Sequence, residues 1–113
     1  MADIIYVDEE DGKKRVMNNG KLYARLLVKF KEGTNLDALI DSAGAQDWKN
    51  AQVAAHTVKG VAANLSLTEL YKQSLDVETQ LKGESLNPES LENLKICFAE
   101  TLVEVDKVIV KYA

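Results

Sequence analysis

A chain of 113 residues with 46% hydrophobic and 28% charged side chains can fill one core but not two, so it is expected to fold as one domain, 1–113, and not to be disordered. Its net charge of −4, with no basic stripe set against it, argues against a nucleic-acid partner. One cysteine (Cys97) and one histidine (His56) cannot make an internal disulfide or a zinc cluster, and no apolar run approaches the ~18 residues of a membrane span, which leaves a cytoplasmic protein without metal or membrane anchor as the expectation.

One proline, six glycines and apolar residues at three-four spacing predict an all-α domain. The lead-in, about 1–18, holds Ile4-Ile5-Tyr6-Val7, a β-prone run with no partner strand, which reads as an extended or helical segment packed on the bundle. The Asp8-Glu9-Glu10-Asp11 and Lys13-Lys14-Arg15 clusters after it read as a solvated face. The first strong helix is predicted from about Asn19 to Lys31, with Leu22, Leu26, Leu27 and Phe30 inward and Gly33 as its stop. Thr34, with Asp37 three residues on, is expected to cap a short second helix that carries Leu36, Leu39 and Ile40 to Gly44. Asp47 caps a third, Trp48 to about Asn64. Ser66 and Glu69 form an S-x-x-E capping box for a fourth, through Leu70, Leu75 and Leu81 to near Gly83. Asn87-Pro88-Glu89 opens the last helix, to about Tyr112, with Leu91, Leu94, Phe98, Leu102, Val105 and Ile109 inward and Cys97 an inert buried thiol among them. Short loops between these elements predict an antiparallel up-and-down four-helix bundle over about 19–112, with one or two short additional N-terminal helices.

His56 lies near the middle of the third helix. At about 100° per residue, Ala54, Val58, Val61 and Leu65 fall opposite it, while Gln52, Lys59, Gly60 and Ala63 surround it, so the core lies behind the ring. An exposed imidazole beside a permanent cation and a residue without a side chain suits a phosphoryl group: a free nitrogen, positive charge and room. In an antiparallel hairpin turning near Leu65 to Leu67, Glu78 comes level with His56 and could accept the Nδ1 proton; levelling is good to about one turn, or ~5 Å, so Asp76 and Gln80 are also candidates. Lys59 could neutralise phosphoryl oxygens as a mobile charge. Gly60 costs a mid-helix position about 1 kcal/mol against alanine, and its place beside His56 favours access by a partner over close packing. The chain has no nucleotide-binding loop, no triad serine and no acidic cluster arranged for magnesium, which fits a group carrier whose chemistry is completed at another protein's site.

The stretch Ala55-His56-Thr57-Val58-Lys59-Gly60-Val61-Ala62-Ala63-Asn64-Leu65 resembles the H-x-x-K-G motif of histidine-containing phosphotransfer (HPt) domains. Asp47-Trp48, Leu22-Tyr23, Leu26-Leu27 with Phe30, and Leu75 with Glu78 extend the likeness over nearly the whole chain. The resemblance implies that His56 takes a phosphoryl group at Nε2 from one receiver-domain aspartate and passes it to another, in exchange with response regulators or a hybrid histidine kinase. Lys59 would stabilise the phosphate, Gly60 would leave room for the receiver, and Glu78 would hold Nδ1. Gln52, Val53 and Ala63 would join His56, Lys59 and Gly60 in the docking face. No cofactor is implied, magnesium belonging to the receiver's acidic pocket. Ser66 stands where many members have glycine, a swap attributed to its capping role, and Val61 where a small residue is common. Two other readings are a chemotaxis-kinase-like acceptor labelled from ATP by a separate kinase domain, and a helical binding module without chemistry. An acidic bundle with no evident second apolar face is expected to be monomeric.

Overall fold

The computed structural model describes residues 4–113, and residues 1–3 of the lead-in lie outside it. Six α-helices follow in order: α1 (Glu9–Lys14), α2 (Gly20–Gly33), α3 (Asp37–Gly44), α4 (Trp48–Asn64), α5 (Thr68–Lys82) and α6 (Pro88–Lys111). Among the described residues there is no strand. The long helices α2, α4, α5 and α6 make the expected bundle: α5 packs on both α4 and α6, α6 also packs on α2, and the short α3 and α1 lean on α4 and α2. The core runs from Tyr23, Leu27 and Phe30 through Ala51, Ala55, Val58 and Ala62 to Leu70, Val77, Leu81, Leu94 and Val105.

Two of the expected caps, Asp47 and Asn87, form, and Asn19, expected only as the start of its helix, caps α2 in the same way. Asn19, Asp47 and Asn87 each accept a backbone N–H of the first turn, from Leu22 (3.0 Å), Asn50 (3.3 Å) and Glu89 (2.9 Å), and Pro88 takes the first helical position of α6. Two do not. Thr34 closes α2, its N–H donating to Phe30 O at 2.9 Å, and α3 starts only at Asp37, whose N–H is accepted by Asn35 Oδ1 at 2.9 Å.

The Ser66 capping box is the other correction. Ser66 has a left-handed backbone (φ 58°) and ends α4: Leu67 N–H donates to Ala62 O at 2.9 Å, wrapping the last turn as a Schellman reversal does. Its hydroxyl donates to Asp11 Oδ2 at 2.6 Å and the Glu69 N–H donates to Ile5 O at 3.1 Å, so the N-terminal segment takes both groups of the expected Ser66–Glu69 bond, while the Glu69 carboxylate accepts from Gln73 Nε2 at 3.1 Å. A left-handed position of this kind favours glycine, which is the physical reason a glycine there needs no cap to explain it.

The acidic and basic clusters of the lead-in are more than a solvated face. Asp8 caps α1, and Gly12 turns inward onto Tyr23, where a Cβ would stand 2.3 Å from the ring Cζ. Tyr23 is itself buried and donates its hydroxyl to Leu65 O at 2.6 Å, which ties α2 to the end of α4. Inward lines also shift slightly from expectation. Leu22 and Leu26 are half-buried while Tyr23 and Ala24 are buried, Leu75 is exposed, and α6 buries Leu94, Cys97, Thr101, Val105 and Val108 with Leu91, Phe98, Leu102 and Ile109 at the margin. Thr101 is tolerated inside because its hydroxyl donates to Cys97 O at 2.7 Å. Burial pushes the Cys97 thiol up to about 11, in keeping with an inert cysteine. The sequence also gave no warning of a second apolar face, yet Ile96, Val103 and Val110 are exposed along α6 and Ile4 and Ile5 are exposed in the lead-in.

Candidate functional site

The inner line of α4 is Ala51, Ala55, Val58 and Ala62, followed by Leu65 beyond its end. Three alanines in that line allow close approach to α5, the helix α4 packs on most. Ala54 and Val61, expected inside, are half-buried at its edge, and Ala55 is fully buried. The core arc is thus turned about 40° around the helix from the expected centre, toward the side that carries Lys59. His56 remains on the open side, with 69% of its side chain exposed.

Glu78 comes from α5, across the tight turn. Only 5% of its side chain is exposed, and its two oxygens are divided between two partners on α4: Oε2 lies 2.7 Å from His56 Nδ1 and Oε1 lies 2.6 Å from Lys59 Nζ. Burial pushes this carboxyl up, but the hydrogen bonds and charges of Lys59 and His56 together outweigh it and hold it below its ordinary value. An ionised carboxylate can only accept, so Nδ1 carries the proton, and in the neutral ring the lone pair is left on Nε2. The arrangement gives a solvent-facing nitrogen nucleophile whose tautomer is set from behind by a buried anion.

Hairpin levelling had left Asp76, Glu78 and Gln80 as candidates for this place. Gln80 is occupied elsewhere, its amide donating to Asp76 Oδ2 at 3.0 Å and Ser90 Oγ at 2.9 Å, so Asp76 and Gln80 brace the turn into α6. Lys59 is the larger departure: its side chain is 20% exposed and tied to Glu78, not mobile in solvent. Gln52 is also drawn in, its amide donating to Leu81 O on α5 at 3.2 Å. Both contacts were missed. The levelling rule that pairs residue 56 with 78 also brings 52 near 81 and 59 within a turn of 78, and would have pointed to them.

Around this cluster the surface is open. A Cβ built on Gly60 meets nothing within 4 Å, Val53 is exposed, and Ala63 is half-buried. No group of three or more His, Cys, Asp or Glu side chains that could hold a metal ion occurs among the described residues, and no helix there is long and apolar enough to cross a membrane.

Compared with known families, residues 30–105 match the model of the Hpt domain, a span that contains His56, Lys59, Gly60 and Glu78. No curated protein and no solved structure matches the chain.

Proposed function

Since the chain belongs to the Hpt domain family, whose members are phosphocarriers of His–Asp phosphorelays and not kinases, we propose that His56 is its phosphoacceptor and exchanges phosphoryl groups with receiver-domain aspartates. The observation that carries this reading is the carboxylate of Glu78 on Nδ1 of an exposed ring. Nε2 attacks the phosphorus of a receiver's aspartyl phosphate in line, the N–P bond forms as the P–O bond to the aspartate breaks, and the aspartate leaves as a free carboxylate. The ring gains positive character in that step, and Glu78, which already holds the Nδ1 proton, stabilises it. Attack by a second receiver's aspartate on the phosphohistidine reverses the same bonds and passes the group on.

Lys59 has two places to go. At rest its ammonium neutralises Glu78; when a phosphoryl group arrives one turn away, its flexible stem lets it share its charge with the phosphoryl oxygens. Gly60 keeps the approach clear, and Val53 and Ala63, with the outer edge of Gln52, form the contact surface for the receiver. Magnesium enters with the receiver's acidic pocket, and this chain brings no cofactor. The reading places the protein in the cytoplasm, where receivers and hybrid kinases meet it.

The test is incubation of the chain with receiver domains phosphorylated on aspartate. Wild type should acquire an acid-labile, base-stable label that His56→Gln does not acquire. Label retained by His56→Gln would move the acceptor elsewhere, and label gained only from a kinase's ATP-binding domain would favour a chemotaxis-type acceptor.

A further inference from the structure

Of the nine exposed large hydrophobic residues among the described ones, five, Ile4, Ile5, Ile96, Val103 and Val110, lie on α6 or on the lead-in that borders it. Ile96, Val103 and Val110 are exposed by 57%, 51% and 73% and recur every seven residues on α6, within about 20° of one line down the helix. Ile4 and Ile5 join Glu104, Lys107 and Lys111 in lining the groove along one edge of that line. An unpartnered apolar stripe of this kind on an otherwise charged helix marks a contact surface.

We propose that this face of α6 pairs with the same face of a second copy of the chain, the two helices antiparallel about a twofold axis at Val103. The charge pattern selects that occupant. With Val103 on the axis, Ile96 meets Val110 of the partner subunit, and Glu100, about 60° to one side of the stripe, meets Lys107 of the partner subunit, about 40° to the same side. Twofold symmetry repeats this pair on the same edge, where Glu104 and Lys111 of each copy also lie, so acids and bases are balanced there. Lys107 also lies 3.2 Å from Glu104 of its own chain, an exposed i,i+3 pair from which its ammonium can reach across to the acid of the second copy, while on the other edge Asp106 is held within its own chain, 2.7 Å from Lys31 Nζ. Five aliphatic side chains cover less than the roughly 800 Å² per partner of a standard interface, so the dimer is weak and forms as concentration rises. Because α6 packs chiefly on α5 and α2, the interface leaves His56 on α4 free in both copies. The proposal is independent of the phosphotransfer reading and opposes the monomer expected from sequence.

Sedimentation equilibrium of the full chain across a concentration series tests it. The weight-average mass should rise toward twice that of the chain, Val103→Asp should remain monomeric with unchanged helicity, and Glu100→Lys should weaken association by about tenfold through the two like-charge contacts it creates. The double change Glu100→Lys with Lys107→Glu should bring it back. A chain that stays monomeric throughout overturns the proposal, as does a dimer indifferent to Val103→Asp and to the charge changes.

Discussion

Lys59 Nζ lies 2.6 Å from Glu78 Oε1, so the cation nearest the exposed histidine is held by the same carboxylate that orients the ring. One buried acid therefore fixes the tautomer of His56 and the resting position of Lys59. Changing it acts on both.

Glu78→Gln separates the two roles. The amide oxygen can still accept from Nδ1, but the amide nitrogen cannot pair with Lys59, which will turn to solvent. We expect a loss of about 1–2 kcal/mol in folding stability, below the cost of breaking a fully buried ion pair because Lys59 can rehydrate. Transfer from a phosphorylated receiver should slow by about tenfold, and Glu78→Ala should slow it further. Chemical denaturation and transfer kinetics on the two variants check this; equal transfer rates for wild type and Glu78→Ala would remove Glu78 from the mechanism.

The same carboxyl makes stability depend on acid. Its folded pKa lies below the ordinary 4.5, so it contributes stability that is complete above the unfolded value and is lost as pH falls through the folded one. The stability difference between wild type and Glu78→Gln should therefore shrink as pH falls below about 4.5, and stop changing once the carboxyl is protonated in both states. A difference that holds constant down to the acid transition would show that the pairing with Lys59 and His56 does not persist in solution.

Gly60 offers a clean division between folding and docking. A Cβ there meets nothing, so Gly60→Ala should stabilise the helix by up to about 1 kcal/mol and leave transfer nearly unchanged. Gly60→Gln should be as well folded as wild type yet transfer much more slowly, because its side chain stands in the receiver's path. Thermal melts beside transfer assays give the answer, and a Gly60→Gln protein that transfers at the wild-type rate would place the receiver elsewhere.

Gly12 is the opposite case. Its missing Cβ is replaced by the ring of Tyr23, which is pinned by its hydrogen bond to Leu65 O and cannot swing aside freely. Gly12→Ala should destabilise the protein by about 1–3 kcal/mol, a cost of overpacking, and lower its melting temperature with little effect on transfer by the folded fraction.

These contrasts follow what local pattern can and cannot carry. The spacing of His56, Lys59 and Gly60 and the level of Glu78 across the hairpin were readable, because both rest on helical geometry within one supersecondary unit. Ser66 was misread because its S-x-x-E match is a local signal, while Asp11 and Ile5, which satisfy its hydroxyl and the Glu69 N–H, arrive from more than fifty residues away. The Lys59 pairing was missed for a subtler reason. A wheel drawn from apolar residues alone put the core near Val61, but the three alanines at 51, 55 and 62 set the true contact line, and small residues weigh little in such a wheel. The apolar face of α6 escaped notice because Ile96, Val103 and Val110 sit among inward-facing neighbours in the sequence, where only the built helix separates inside from outside.

The central claim, that Glu78 occupies Nδ1 and so commits the chemistry to the other nitrogen, is tested most directly by nuclear magnetic resonance of the phosphorylated chain carrying nitrogen-15 histidine. Phosphorus coupled to Nε2, with Nδ1 still bearing its proton, is the predicted result. Phosphorus bonded to Nδ1 would contradict the account.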